Sequence, residues 1–242
     1  MTFKIAEIGV NHNGSHGIAV ELAAEAMRAG VDAVKFQAFD PDRLAEKGSK
    51  KHDLLSWLKL SDDALSSIAE SCKQLGVEFM CTPFDPYHLD LIASLGVKRI
   101  KISSGSVTNL PFMAAVGNVG LPIIISNGMC NDMQMEAALS KLRGHVTILY
   151  CVSKYPTPET DIHLEEIDRL KKRFGCPVGY SDHTTGLFAS VAAAAAGAVV
   201  VEKHFTKSRN QIGPDHVCSM EPGEIHAWVR EIDGAANRRG LE

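Results

Sequence analysis

Two lysines, two histidines and several carboxylates lie at or near the ends of short apolar runs in this chain. Lys35 stands in Val34-Lys35-Phe36 and Lys101 in Ile100-Lys101-Ile102, each an ammonium inside a run that reads as a buried strand. An unpaired cation there is costly, so two of them call for an anion. With Thr82, Ser104 and Ser126 as neutral donors nearby, a phosphate, or a phosphate plus a carboxylate, is the natural guest. Taken singly, a lysine near a strand end is usually a solvated rim residue and a serine there a loop cap; the combination carries the argument. His183, in Ser181-Asp182-His183, and His204, in Glu202-Lys203-His204, form a second set. One such histidine is more often a hydrogen-bonded rim residue, but two on adjacent strands can bring imidazole nitrogens to one divalent ion at about 2.0–2.2 Å. Two protein ligands leave positions open, which suits an ion that polarises a substrate carbonyl. Asp182 and Glu202 flank these imidazoles and are placed to orient them. Glu7, after Ile5-Ala6, reads as a general acid or base, a lysine partner or a sugar ligand, the plain structural alternative being an ion pair with Lys35. Asp215, in the tight loop Gly213-Pro214-Asp215-His216, is placed to bind a polar substrate. His16, His52, His88, His145, His163 and His226 read as surface residues on helices or loops, with His12 and His216 left open.

The elements that must position these groups follow from periodicity. Apolar, β-branched runs at 4–8, 33–37, 78–81, 99–102, 123–126, 147–151, 178–180 and 199–203 read as eight strands. Amphipathic stretches at 17–29, 62–75, 86–95, 110–119, 132–142, 164–174, 186–196 and 222–232 read as eight helices. Ala29-Gly30, Leu75-Gly76, Leu95-Gly96, Val119-Gly120 and Ala196-Gly197 place a glycine after a helix and shortly before a strand. The longest interruption, 40–61, reads as a surface excursion. Alternating strands and helices over 242 residues predict a single-domain α/β fold, a (β/α)8 TIM barrel. An open doubly wound sheet would want a glycine-rich phosphate loop, and neither GxGxxG nor GxxxxGK[ST] occurs. From Glu7 to Glu202 the polar strand-end residues recur about every 28 residues, the period of a barrel unit. In a barrel they converge at the C-terminal mouth.

Composition narrows the function. Twenty-five Lys plus Arg against 29 Asp plus Glu give a net charge of −4 and no basic block, which argues against a nucleic-acid partner. Six scattered cysteines without a CxxC pair, and a start without the apolar core of a signal peptide, point to a reducing cytoplasm. The longest apolar run, 187–201, is too short for a membrane span and reads as a buried helix entering a strand.

The segments AEIGVNHNGS (6–15), DAVKFQAF (32–39), TPFD (82–85), KISSG (101–105), ISNGM (125–129), CVSKYPTP (151–158), GYSDHTTG (179–186), EKHFT (202–206) and GPDHVCS (213–219) resemble, in order, those of the N-acetylneuraminate (sialic acid) synthase family. The resemblance implies a barrel that condenses phosphoenolpyruvate with the open-chain aldehyde of an N-acylated hexose. Phosphate is released and a nine-carbon 2-keto acid forms. It implies a divalent metal, Mn2+ or Mg2+, on His183 and His204. Lys35, Thr82, Lys101, Ser104, Ser126 and Ser181 would bind phosphoenolpyruvate, and Ser153 stands where some members have Asn. Glu7, Glu202 and Asp215 correspond to acidic residues around the reacting carbons and the sugar. C3 of the enol phosphate would attack a metal-polarised aldehyde, and water steered by Glu7 would capture C2 before phosphate leaves by C–O cleavage.

This chain also departs from the family pattern. Typical members continue into a small antifreeze-like domain that reaches across a dimer and supplies an Arg to the N-acyl group. Here the sequence stops at Glu242, which reads as a barrel without that domain, the cap being a separate chain or unneeded for a different acceptor; the expected partners are a second copy in a homodimer or a separate cap-domain chain. Arg238 and Arg239, in the tail, are not assigned that role. Asn127 replaces a common Thr and Ser106 a common Glu, both at the rim on the side of the second substrate. Two other activities fit the same residues: a metal-dependent aldolase or lyase on a keto sugar, and a ligand-binding barrel without catalysis.

Overall fold

The computed structural model describes residues 1–238, so Arg239 lies outside the described residues. Eight parallel strands, β1 (Phe3–Gly9), β2 (Ala33–Ala38), β3 (Glu78–Pro83), β4 (Ile100–Ile102), β5 (Ile123–Ser126), β6 (Val146–Cys151), β7 (Val178–Asp182) and β8 (Val200–His204), coincide with the eight expected runs. Around them lie α1 (His16–Arg28), α2 (Pro41–Leu44), α3 (Lys50–Leu58), α4 (Asp62–Leu75), α5 (Pro86–Ser94), α6 (Leu110–Val119), α7 (Asp132–Leu139), α8 (Glu165–Phe174), α9 (Phe188–Ala196) and α10 (Pro222–Arg238). The stretch 40–61 is not bare loop. It folds into α2 and α3, capped by the side chains of Asp40 and Ser49, and buries Leu58 against Val10 and Phe39. The run 187–201 is the end of one unit and the start of the next, with Gly197 closing α9 at φ 113° before β8.

The strands pair in the order β3-β2-β1-β8-β7-β6-β5-β4, so hydrogen bonding runs unbroken around the ring except between β3 and β4. Those two strands still lie side by side. Arg99 bridges them at the floor, its Nε donating to Glu78 Oε1 at 2.7 Å and its Nη2 to Oε2 at 3.2 Å, with the guanidinium 4.3 Å above the Phe3 ring. Among the described residues no helix is long and apolar enough to cross a membrane.

Strand alternation divides the buried side chains into two sets. Ala6, Ile8, Val34, Phe36, Cys81, Ile100, Ile102, Tyr180 and Val201 face outward into the apolar layer beneath the helices. Ile5, Ala33, Met80, Ile124, Leu149 and Val200 face inward and plug the lower barrel. Two residues further along the same strands come Glu7, Lys35, Thr82, Ser126, Cys151 and Glu202. An apolar plug therefore closes one end, and the next inward rung is polar on every one of those strands.

Candidate active site

That polar rung forms a cavity of about 250 Å3 at the C-terminal ends of the strands. Of the residues expected from the sequence, Glu7, Lys35, Thr82, Lys101, Ser104, Ser126, Ser181, His183, Glu202, His204 and Asp215 all line it. Ser153 does not; its hydroxyl lies beside Gly128, where an added Cβ would come within 2.6 Å of Oγ. Gln37, Phe84, Ser103, Cys151 and Tyr155 also line the cavity and were not singled out from sequence. Gln37 and Cys151 follow Lys35 and Leu149 by two residues and share their face, a signal that was available. Tyr155 sits on a loop where no periodicity points inward. A larger groove of about 510 Å3 lies on the barrel's flank at the N-terminal ends of β3 and β4, away from this chemistry.

Charge in the cavity is tightly shared. Lys35 Nζ lies 2.9 Å from Glu7 Oε2 and 3.4 Å from Glu202 Oε1, so the ion pair with Glu7 does exist. Lys101 Nζ donates to Ser126 Oγ at 2.9 Å and lies 3.5 Å from Glu202 Oε1. Gln37 Nε2 donates to Glu7 Oε1 at 2.9 Å, and Ser181 Oγ to Glu202 Oε1 at 3.2 Å. The two carboxyls are driven apart. Burial, with a push from Glu202, raises Glu7 to about 7 against the pull of Lys35. Burial opposes ionisation of Glu202 too, but Lys101 and Lys35 outweigh it and hold that carboxyl well below the usual range. Burial lowers Lys101, whereas Glu202 and Glu7 offset burial at Lys35 and leave it above its ordinary value.

The imidazoles of His183 and His204 have ring centroids 5.6 Å apart, with the Tyr155 ring 4.2 Å from the first and 5.9 Å from the second. His183 Nδ1 donates to the Val152 carbonyl at 2.8 Å. A carbonyl only accepts, so Nδ1 carries the proton and Nε2 keeps its lone pair. His204 Nδ1 is buried without a hydrogen-bond partner, 3.8 Å from Asp215 Oδ2. Burial lowers both histidines, His204 to about 4, which keeps them neutral at pH 7. Asp182 does not hydrogen-bond the His183 ring, as its position had suggested; its carboxylate turns outward to Thr184, Ser190 and Lys203, and the ring's direct partner is the Val152 carbonyl. His88 is likewise not a surface residue: it is buried, with Nδ1 2.7 Å from Asp85 Oδ2. His12 and His216 are buried as well. His216 Nδ1 meets Thr206 Oγ1 at 2.7 Å and its Nε2 meets Asn13 Oδ1 at 3.2 Å, which ties the β8–α10 loop carrying Asp215 to the turn after β1.

Two neutral imidazoles, one with an unpartnered nitrogen, and the unpartnered Glu202 Oε2 are donors of the type that hold a divalent ion. Among the described residues no group of three His, Cys, Asp or Glu converges as a complete cage. A divalent ion held by these donors alone would keep open positions, as in catalytic rather than structural sites.

A nearly closed parallel barrel with cations, imidazoles and carboxylates at one mouth defines the class: a (β/α)8 enzyme acting on an anionic substrate. The chain belongs to the NeuB family, whose model matches residues 22–241. It is 40% identical over 255 residues to N,N'-diacetyllegionaminic acid synthase of Legionella pneumophila, covering 96% of this chain and 72% of that protein. It is 38% identical over 251 residues to the synthase of the same name from Campylobacter jejuni, covering 96% and 75%. The crystal structure of an N-acetylneuraminic acid synthetase from Leptospira borgpetersenii, in complex with citrate, superposes with a TM-score of 0.95 at 32% identity, covering 99% of this chain and 85% of that one. The chain is thus an enzyme of the NeuB family, among whose relatives are proteins named as synthases of diacetyllegionaminic, N-acetylneuraminic and pseudaminic acids.

Proposed function

We propose that this enzyme condenses phosphoenolpyruvate with the open-chain aldehyde of an N-acylated hexose, releasing inorganic phosphate and forming a nonulosonic 2-keto acid. The observation that carries the reading is the meeting of Lys35 and Lys101 with His183 and His204 in one cavity. Lys35 and Lys101 hold the phosphate and carboxylate of the enol phosphate, with Thr82, Ser104, Ser126 and Ser181 as neutral donors. Glu202, ionised between the two lysines, keeps them charged and oriented before substrate enters. Glu7, poised near neutrality, takes the proton of the water that adds at C2. Asp215 binds a sugar hydroxyl at the outer edge. His183 and His204 hold a divalent ion, Mn2+ or Mg2+, which when bound supplies Lewis-acid polarisation of the aldehyde oxygen.

The product named for the Legionella and Campylobacter relatives makes a diacetamido hexose the first acceptor to test, ahead of N-acetylmannosamine. Phosphate release from phosphoenolpyruvate is measured across a panel of amino sugars, with mass spectrometry of the product. Release that depends on sugar and metal, and is abolished by His204→Ala in a folded protein, is expected. Turnover that survives chelator removes the metal role. Carbon–carbon cleavage of a keto sugar without phosphate release would make the protein a lyase, and binding without turnover would make it a non-catalytic barrel.

A further inference from the structure

Behind the two imidazoles lies a second charged group that the reaction does not touch. Asp182 and Lys203 are the residues just before His183 and His204, and they are directly paired across β7 and β8. Alternation turns both outward, onto the columns that begin with Val178 and Tyr180 on one strand and Val201 on the other, all apolar. Both are completely enclosed, with side-chain exposures of 0% and 1%, and lie 3.1 Å apart. Replacing such a pair by apolar residues often costs a fold nothing, so stability alone does not account for it.

Their partners indicate another role. Asp182 Oδ1 accepts from the backbone N of Thr184 at 2.9 Å and from its hydroxyl at 2.8 Å, while Oδ2 accepts from Ser190 of α9 at 2.5 Å. Lys203 Nζ donates to the Thr184 carbonyl at 2.7 Å. Every polar group of Thr184 is therefore held by the pair, and His183 is the one residue between Asp182 and Thr184. Its carbonyl is fixed in turn by the Thr157 N–H at 2.8 Å. Through Lys203 the same bonds reach the residue preceding His204.

We infer that Asp182, Lys203 and Thr184 form a cross-strand brace whose work is to set the spacing and orientation of His183 and His204 for a shared ion; they are positioning residues. The inference rests on the reading of the two histidines as metal ligands. It is tested with Lys203→Met, the charge-neutral pair D182N/K203M, and the near-isosteric Thr184→Val, which removes a single hydrogen bond and keeps the protein folded if the charge variants do not. The first readout is ring-nitrogen NMR of His183 and His204 in metal-free protein, and the second is Mn2+ titration of the same samples. Folded variants are expected to show shifted or exchange-broadened imidazole signals and Mn2+ affinity weakened about 10–100-fold. Unchanged ring signals, with affinity within about twofold of wild type, would overturn the brace. Should the wild-type protein itself bind no Mn2+, the metal reading falls, and the ring signals alone decide whether the brace positions the imidazoles.

Discussion

Glu7 and Glu202 are two carboxyls in one cavity whose proton affinities are pushed in opposite directions, and the difference is their cations. Glu202 lies near both lysines and stays ionised, while Glu7 shares Lys35 with it and is raised to about 7. A group raised in this way is protonated below about pH 7 and becomes a base as pH rises through that value. The kcat/KM for phosphate release is therefore expected to climb with pH around a midpoint near 7 in wild type. Glu7→Gln should lose about 10²–10⁴-fold and lose that limb with it. A Glu7→Gln enzyme that keeps the same limb would assign it to another group. The members of this site legible beforehand are those whose polarity conflicts with their surroundings, Lys35 and Lys101 in apolar strands and the repeated strand-end histidines. Tyr155 was missed because its exposure to the cavity comes from the path of a loop, which no residue spacing encodes. His88 was misjudged because its neighbour Asp85 caps α5 and pairs with its ring, so a helix position that looks solvated is a closed hydrogen-bonded unit.

At the scale of elements, the eight strands and their eight main helices could be read from period and glycine punctuation, because each strand is buried on both faces and each helix on one. Two features escaped that reading, the helices inside 40–61 and the uneven closure of the sheet. β1 slips register between Glu7 and Gly9, and Gly9 adopts φ 55°. A Cβ there would sit 2.9 Å from Glu7 Oε1 and 3.1 Å from Gln37 Nε2. Gly9→Ala should then cost about 1–2 kcal/mol in backbone strain and lower Tm by about 2–8 °C. It should also reduce kcat by displacing the Glu7–Gln37 pair, and a Gly9→Ala enzyme with wild-type kcat would show that the bulge does not hold Glu7. The missing ladder between β3 and β4 puts weight on the Arg99–Glu78 bridge. Glu78→Ala is expected to destabilise by about 1–3 kcal/mol. In hydrogen exchange the added opening should concentrate in β3 and β4, whereas uniform loss of protection would mean the seam is not the weak edge.

The whole molecule separates stability from chemistry along the barrel axis. The apolar lower plug and the outer layer carry the packing, and α10 completes that layer, with Ile225, Trp228 and Ile232 fully buried and Asp233 2.7 Å from the buried Lys4 Nζ on β1. At the opposite mouth two lysines and two carboxyls are withdrawn from water with nothing apolar gained. Lys101 has the least support, with one hydrogen bond to Ser126 and a contact of 3.5 Å to Glu202, and burial pulls its ammonium toward the neutral form. The proposed function accounts for this expense in stability, since it makes the site one held ready for an anion. Lys101→Met should accordingly be no less stable than wild type in the absence of ligand, because a desolvated charge gives way to a side chain of similar length. Phosphoenolpyruvate at about a hundredfold above its Kd should stabilise wild type by about 2.7 kcal/mol, a rise of about 5–10 °C in Tm, and should shift the Lys101→Met variant far less. Thermal melts of both proteins with and without the ligand measure the two effects together. An equal ligand shift in the variant would show that Lys101 does not bind the anion, and a large drop in its unliganded Tm would show that the lysine is there for the fold.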